Sequence, residues 1–379
     1  MCIQYIPFEG FGVSNIKVAL ILLSPFIWMY SGKLTAKTVF FGVIYIFSIV
    51  FSLIYNTDSF RFDTVAYKIG FIIIFLLYYE LIHHNKVLSP ESFIKFLVVL
   101  ISTLTIFLLL QQLAIIIGLS SLKILNFYNY LNRGLGSNSL FLEPSHFARI
   151  LTVLMLVLLR MKKIEWGKNN FKISRFFKVY KWICLGFLWC MITMGSATAF
   201  IGLLILLLYF LDRKHAFFMI VFIPVLYFTI PLINYEPLTR AINAFEASLS
   251  FDAQKIIETD YSAASRLVPL INTIYYTDFT DVTTWLGKGV DVNASADYLS
   301  EEQKIGGITD YGLISFIFSL IFVFRCSINK IWSPETIIFF ILMGGTIGNI
   351  AYVWGILMLF TTIKYFENNK ILYKQNVFI

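Results

Sequence analysis

The fold is organised around one stretch, Arg133-Gly134-Leu135-Gly136-Ser137-Asn138-Ser139-Leu140-Phe141-Leu142-Glu143-Pro144-Ser145-His146-Phe147-Ala148-Arg149. A polar, glycine-containing turn leads here into an apolar helix. Pro144 suits the first helical position, because an N–H at that position would have no partner within the helix. The apolar pattern predicts that the helix continues from Ser145 to Leu159 and ends at the basic residues Arg160, Lys162 and Lys163. The helix then carries a carboxylate, Glu143, at its start and a cation, Arg149, more than one turn inside. His146 and Arg149 are three residues apart and share one face.

The composition is that of a membrane protein. Of the 379 residues, 58% are hydrophobic and 14% are charged. Apolar runs near the length that crosses a bilayer recur along the chain, and they are 16–31, 38–55, 67–84, 93–119, 144–161, 179–194, 196–211, 215–233, 308–325, 334–348 and 349–366. The sequence therefore predicts a single all-α polytopic integral membrane domain over residues 1–379, with about 11 (10–12) transmembrane helices.

Lysine and arginine placement predicts the orientation. The segment 161–181 contains seven basic residues and one acid, Glu165, and basic loops face the cytoplasm. Counting helices outward from this segment also places the basic loops 32–37, 212–214 and 326–333 inside. The segment 234–307 then lies outside as one large loop with eleven acids and five bases. Loops of this length are seldom simple connectors, and we expect a small, partly helical cap.

In this topology the helix that begins at Pro144 runs from outside to inside. Its free N–H groups and the positive end of its dipole face outward, which is an arrangement that binds phosphate. Arg133 and Arg149 add positive charge, and Glu143 is a candidate base or orienting carboxylate. A structural interpretation fits the spacing equally well: Glu143 caps the helix and pairs with Arg149.

Arg266 follows Ser265 in the outer loop and also has two interpretations. It either binds pyrophosphate through charge-assisted hydrogen bonds or forms a surface ion pair with an acid such as Asp260. Spacing alone favours the ion pair. No Walker loop, dinucleotide fingerprint or zinc spacing occurs, so we expect no metal and no cofactor. The net charge of +8 is explained by membrane orientation, and no nucleic-acid partner is expected.

Three short motifs resemble those of one family. The segment Phe141-Leu142-Glu143-Pro144-Ser145-His146-Phe147-Ala148 resembles the F-x-E-P-S signature of Wzy-type O-antigen polymerases. Ser265-Arg266, followed by Trp285-Leu286-Gly287-Lys288-Gly289, is similar to the S-R … G-x-G stretch in the large periplasmic loop of that family. Thr309-Asp310-Tyr311-Gly312-Leu313-Ile314 is similar to the end of that loop. The order of the three motifs also matches.

The resemblance implies a GT-C-like glycosyltransferase of the bacterial inner membrane, with its active site facing the periplasm and 234–307 as a periplasmic loop. Such enzymes transfer a growing glycan from one undecaprenyl-pyrophosphate carrier to a sugar hydroxyl of the next carrier-linked repeat unit. The implied partners are this lipid-linked oligosaccharide, membrane lipids and a chain-length regulator protein. The implied catalytic residues are Glu143, His146 and Arg149, and the implied pyrophosphate or glycan contacts are Arg133, Ser145 and Arg266.

Two other functions remain open at this stage. O-antigen ligases share the architecture but usually carry a functional histidine in the large loop. Residues 234–307 contain no histidine, which favours a polymerase. A polysaccharide flippase or other transporter is also polytopic, but it more often shows repeated halves with broken helices.

Overall fold

A computed structural model describes residues 15–31, 36–59, 61–119, 136–167, 170–210, 236–259, 261–290, 304–345, 347–348 and 351–369. Helices make up 81% of the structure, and the described ranges contain no strand. The all-α membrane class predicted from the composition is therefore confirmed. The apolar run 215–233 lies outside the described residues, as does Arg133.

The bundle contains helices that follow most of the apolar runs. They are α1 (Asn15–Ser31), α2 (Ala36–Tyr55), α3 (Phe62–His83), α4 (Pro90–Ile117), α5 (Pro144–Trp166), α6 (Ile173–Val179), α7 (Lys181–Thr193) and α8 (Ala197–Phe210). After the outer loop come α13 (Ile308–Cys326), α14 (Pro334–Ile337) with a π-helical turn at Ile338–Leu342, and α15 (Ala351–Asn368).

Four described helices are long and apolar enough to cross a membrane: the stretch Thr38–Tyr55 of α2, then α3, α4 and α13. The apolar parts of α1 and α8, Ile16–Met29 and Ala197–Leu207, are shorter. The predicted number of about 11 spans is thus not confirmed, and it stays a prediction.

The run 179–194 does not form one straight helix. Helices α6 and α7 meet at Tyr180 with a bend of 96°, and Tyr180 has the non-helical angles φ −112° and ψ 34°. The cause is visible in the sequence, since α6 carries Arg175 and Lys178 whereas α7 is apolar after Lys181. If the bent pair counts as one span, the number of candidate spans rises to five.

Helix α5 is the central helix of the bundle. It packs against α4, α8 and α15, and its residues from Ile150 to Leu159 are all buried. A helix that is apolar on every side is buried in this way. The contact with α8 is especially close, because a Cβ placed on Gly202 would lie 2.1 Å from Oγ1 of Thr152. Small residues permit such close approach in membrane helices. The structure extends α5 beyond the predicted end at Arg160, Lys162 and Lys163 to Trp166.

The predicted outer loop contains its own helices: α9 (Glu236–Leu249), α10 (Ala253–Thr259), α11 (Tyr261–Tyr275) and α12 (Val282–Leu286). We call residues 236–290 the cap. A small separate core joins α9, α10 and α11 through Ala247, Ile256, Ala264, Val268 and Ile271. The cap packs on the bundle through contacts of α9 with α8 and of α12 with α2 and α13.

The two ends of the bundle are distinct. At the cap end, the end of α2 contacts the cap, and Gln112 near the end of α4 donates a hydrogen bond to Thr193 at the end of α7 (2.8 Å). At the opposite end, Arg160 of α5 pairs with Glu335 of α14 (2.5 Å) and Glu367 of α15 (3.5 Å). We call this second end the basic end, because it includes the described part of 161–181. The ends of successive helices therefore lie at alternating ends of the bundle, as the predicted topology requires.

The orientation gives a direct prediction. In a background in which Cys2, Cys184, Cys190 and Cys326 are replaced, Asn170→Cys at the basic end and Lys255→Cys in the cap should react from opposite sides of the membrane. Both positions are exposed. The basic residues around Asn170 predict that it is cytoplasmic, so a membrane-impermeant maleimide should label only Lys255→Cys in intact cells. Labelling of both sites from outside would contradict the orientation.

Candidate functional site

A buried polar turn positions the start of α5. Asn138 and Ser139 are almost fully buried, and Gln111 of α4 binds both of them. Its amide donates to Oδ1 of Asn138 (3.2 Å) and to the carbonyl of Ser139 (3.0 Å), and its oxygen accepts from the N–H of Ser139 (2.7 Å). Ser139 also donates to the carbonyl of Leu104 (2.8 Å). Because buried polar groups need such partners, these bonds fix the turn and therefore the position of Glu143.

The polar turn also contacts the connection between α7 and α8. Gly195 has a φ of 72°, and a Cβ placed on it would lie 3.3 Å from Cα of Gly136. Ser196 and Thr198 beside it are buried. Gly195 and the small hydroxyl residues beside it thus permit close packing between this connection and the polar turn.

Glu143 is the residue immediately before α5, and its side chain is 54% exposed at the cap end. It accepts a hydrogen bond from Oγ of Ser145 (3.0 Å), and Nε2 of His146 lies 4.0 Å from its carboxylate. The carboxylate forms no capping hydrogen bond with the helix. It also forms no ion pair with Arg149 within the described residues. Both contacts expected for a purely structural Glu143 are therefore missing from the described part of the chain.

Arg149 is bound by a tyrosine and by no described carboxylate. Its Nη1 donates to the hydroxyl of Tyr352 in α15, and its guanidinium lies 5.9 Å from the centre of that ring. Its Nε is buried without a hydrogen-bond partner in the described structure. A cation without a counter-ion is costly inside a membrane protein and marks a candidate site. An anionic ligand would supply the missing charge.

Tyr352 joins the candidate residues into one cluster. It is 1% exposed, and its ring lies 4.8 Å from the ring of His146 at an angle of 34°. It thus contacts both His146 and Arg149 from a helix that is distant in sequence. Sequence reasoning missed Tyr352, because nothing local distinguishes it among the 21 tyrosines of the chain. We call Glu143, Ser145, His146, Arg149 and Tyr352 the α5 cluster.

Two predicted residues stay outside the cluster. Arg133 lies outside the described residues, and Arg266 belongs to α11 in the cap, where its side chain is also outside what the structure describes. Glu143, Ser145, His146 and Arg149 are the predicted site residues that the structure brings together. The described residues contain no group of three or more His, Cys, Asp or Glu side chains arranged to hold a metal ion.

The two later motifs bind each other through their backbones. The N–H of Lys288 donates to the carbonyl of Thr309 (2.7 Å), and the N–H of Gly289 donates to that of Asp310 (3.2 Å). Asn56, the residue after α2, donates to the carbonyl of Gly287 (3.1 Å). The sequence identified both motifs but not this contact, which fixes the cap to α2 and α13.

A buried lysine lies beside this junction. Lys68 of α3 is 4% exposed, and its ammonium lies 3.6 Å from the centre of the Tyr311 ring, in a cation–π contact. The apolar run 67–84 gave no indication that this lysine points into the bundle.

The chain matches no protein-family model, no curated protein and no solved structure.

Proposed function

We propose that this chain is a Wzy-type O-antigen polymerase, a metal-independent membrane glycosyltransferase that acts at the periplasmic face of the bacterial inner membrane. It transfers the growing glycan from one undecaprenyl-pyrophosphate carrier to a sugar of the next carrier-linked repeat unit. The motif resemblance supports the reaction class. The observation that carries the proposal is the α5 cluster, in which an arginine without a described counter-ion lies below an exposed carboxylate.

The geometry of α5 fits the two groups that take part in this reaction, the acceptor sugar and the anionic leaving group. Glu143 and Arg149 are six residues apart, which is about 9 Å along a helix at 1.5 Å per residue. An acceptor sugar arriving from the cap end reaches Glu143 first, and an anionic leaving group binds deeper, at Arg149. In this proposal the donor sugar, whose glycosidic bond is broken, lies between them.

The chemical step needs a base and an anion site. Glu143 or His146 removes the proton from the acceptor hydroxyl, whose oxygen attacks the anomeric carbon of the donor glycan. The bond between that carbon and the carrier phosphate breaks, and the electron pair leaves with undecaprenyl pyrophosphate. Arg149 stabilises the negative charge that develops on the phosphate. Tyr352 holds the guanidinium in place.

The remaining assignments follow from this proposal. Ser145 orients the Glu143 carboxylate through its hydrogen bond, and Arg133 and Arg266 are further pyrophosphate or glycan contacts. The lipid tails lie among the apolar helices, no cofactor takes part, and a chain-length regulator protein is the expected partner.

Glu143→Gln tests the role of the carboxylate. The amide keeps the size of the side chain and removes its charge and basicity. Because Glu143 makes no capping hydrogen bond, the stability cost should stay below the roughly 1 kcal/mol typical of a lost cap. We expect polymer to fall by about 100-fold or more, within the range for a positioned base, at near-normal protein abundance. Full-length glycan from the Gln variant would dismiss Glu143 as the base.

A deletion strain tests the function itself. Its surface glycan, separated by size, should consist of single repeat units on the lipid A core, and the plasmid-borne gene should restore the ladder. Complete loss of glycan from the core would indicate a ligase. Accumulation of carrier-linked repeat units on the cytoplasmic side would indicate a flippase.

A further inference from the structure

The cap contains an open cleft between the start of α10 and the end of α11. Its volume is about 350 Å³, which falls within the range of about 300–1,000 Å³ that small-molecule sites occupy. Its lining includes Phe251, Asp252, Gln254, Asn272, Tyr275 and Tyr276. None of these residues belongs to the α5 cluster.

Three aromatic rings at the cleft are exposed. Phe251 is 62% exposed, Tyr275 is 65% exposed and Tyr276 is 51% exposed. Neither tyrosine hydroxyl has a hydrogen-bond partner among the described residues. Aromatic side chains grouped in this way on a surface indicate a binding site.

The same cleft carries a fixed carboxylate. Oδ1 of Asp252 accepts hydrogen bonds from the N–H groups of Gln254 (3.0 Å) and Lys255 (3.3 Å), which leaves Oδ2 without a partner in the described structure. The amide of Gln254 is oriented by a hydrogen bond to Glu258 (3.0 Å). A sugar ring matches this combination, because its C–H face packs on an aromatic ring and its hydroxyls bond to carboxylate and amide groups.

Phe251 has a backbone conformation that its side chain does not favour. Its φ is 52°, in the left-handed region that residues other than glycine, asparagine and aspartate seldom adopt. Because most of the ring is exposed, packing within the cap does not explain why phenylalanine occupies this position. A ligand that packs on the ring does explain it.

Helix α11, which forms one side of the cleft, also contacts the bundle. Thr273, next to Asn272 in α11, accepts a hydrogen bond from the N–H of Ile305 (2.8 Å). The side chain of Ile305 lies against Gly345, where an added Cβ would be 3.2 Å from it. Gly345 precedes Tyr352 by seven residues. Helix α11 is therefore held against segments of the bundle that lie near Tyr352 in the sequence.

We propose that this cleft binds sugar rings of the carrier-linked glycan at a distance from the bond that reacts. This inference rests on the proposed function and assigns it a second substrate contact. The cleft then sets affinity for the glycan and the length of the polymer, while the α5 cluster performs the transfer. The acidic balance of 234–307, eleven acids against five bases, favours a neutral glycan over an anionic lipid surface as the occupant.

Phe251→Gly separates this role from a structural one. Glycine relieves the left-handed backbone, so the unfolding temperature of the purified full-length protein should stay unchanged or rise. Binding of oligosaccharides of one to three repeat units, released by mild acid from the host polymer, should weaken at least tenfold in calorimetric titration. Tyr275→Ala should weaken binding similarly. Phe245→Ala, an equally exposed ring of the cap that does not line the cleft, should bind like wild type.

Wild-type affinity in both Phe251→Gly and Tyr275→Ala would overturn the proposal. Protection of Tyr275→Cys from a water-soluble maleimide by lipid nanodiscs, but not by the oligosaccharide, would also overturn it and assign this face to the membrane. A failure of the proposed function can be distinguished from a failure of this inference. If the wild-type protein binds the oligosaccharide through the cleft but never lengthens a carrier-linked glycan, the polymerase is wrong and the cleft stands.

Discussion

Arg149→Lys should abolish polymer while the protein remains in the membrane at near wild-type abundance. Lysine keeps the positive charge but lacks the planar fork that binds two phosphate oxygens at once. Arg149 directs Nη1 to Tyr352, and its Nε has no hydrogen-bond partner in the described structure. Lysine cannot bind the tyrosine hydroxyl and the phosphate in the same way. Loss of one donor to a developing oxyanion costs about 100-fold or more in rate, and we expect at least this loss for polymer formation.

Two further variants make the result specific. Arg175→Lys in the exposed part of α6 is the matched control and should polymerise normally. Tyr352→Phe keeps the ring that contacts His146 but removes the hydroxyl that holds Arg149, so we expect a smaller loss, on the order of tenfold for one hydrogen bond of about 1.5 kcal/mol. A normal glycan ladder from Arg149→Lys would mean that the charge alone suffices and that the forked contact is wrong.

Gly312→Ala should have the largest effect on folding. Gly312 has φ 81° and ψ 167°, a combination essentially restricted to glycine. A Cβ at this position would lie 2.1 Å from the carbonyl oxygen of Trp285 and 2.6 Å from the nitrogen of Gly287. Both are backbone atoms and cannot rotate away. Strain and overlap together should cost about 3 kcal/mol or more and detach the 285–290 segment from α13.

Gly118→Ala is the control for this prediction. Gly118 ends α4 with the same φ of 81°, but nothing lies within 4 Å of a Cβ placed there. It should therefore show only the cost of a left-handed alanine, roughly 1–2 kcal/mol. The measurement is the thermal unfolding of both purified variants in detergent. Equal unfolding temperatures for Gly312→Ala and Gly118→Ala would show that the contact between 285–290 and α13 is not as close as described.

The sequence predicts the part of the site that is local. Pro144 marks the first residue of α5, and the spacing of Glu143, His146 and Arg149 places them along one helix because helical geometry follows from sequence separation alone. The end of α5 was placed slightly too early, at Arg160 to Lys163, because charged residues suggested a loop. In the structure Lys162 pairs with Glu165 (2.5 Å) and lies over the ring of Trp166, which stabilises another helical turn.

The partners of the site depend on tertiary structure and were not predictable. Gln111 and Tyr352 come from two other helices, and each lies in a long apolar run. Periodicity shows that such a run is helical, but it does not show which of its faces meets α5. The cap cleft was missed for the same reason, since Phe251 and Tyr275 are 24 residues apart and meet only through the packing of α10 on α11.

The most direct test is reconstitution of the purified protein in liposomes with undecaprenyl-pyrophosphate-linked repeat units and no sugar nucleotide. The proposed function predicts carrier-linked products of two, three and more repeats, with one undecaprenyl pyrophosphate released for each bond formed. Arg149→Lys in the same liposomes should leave single repeats. If the wild-type protein, correctly folded and inserted, also leaves only single repeats, the chain is not a polymerase of carrier-linked glycans.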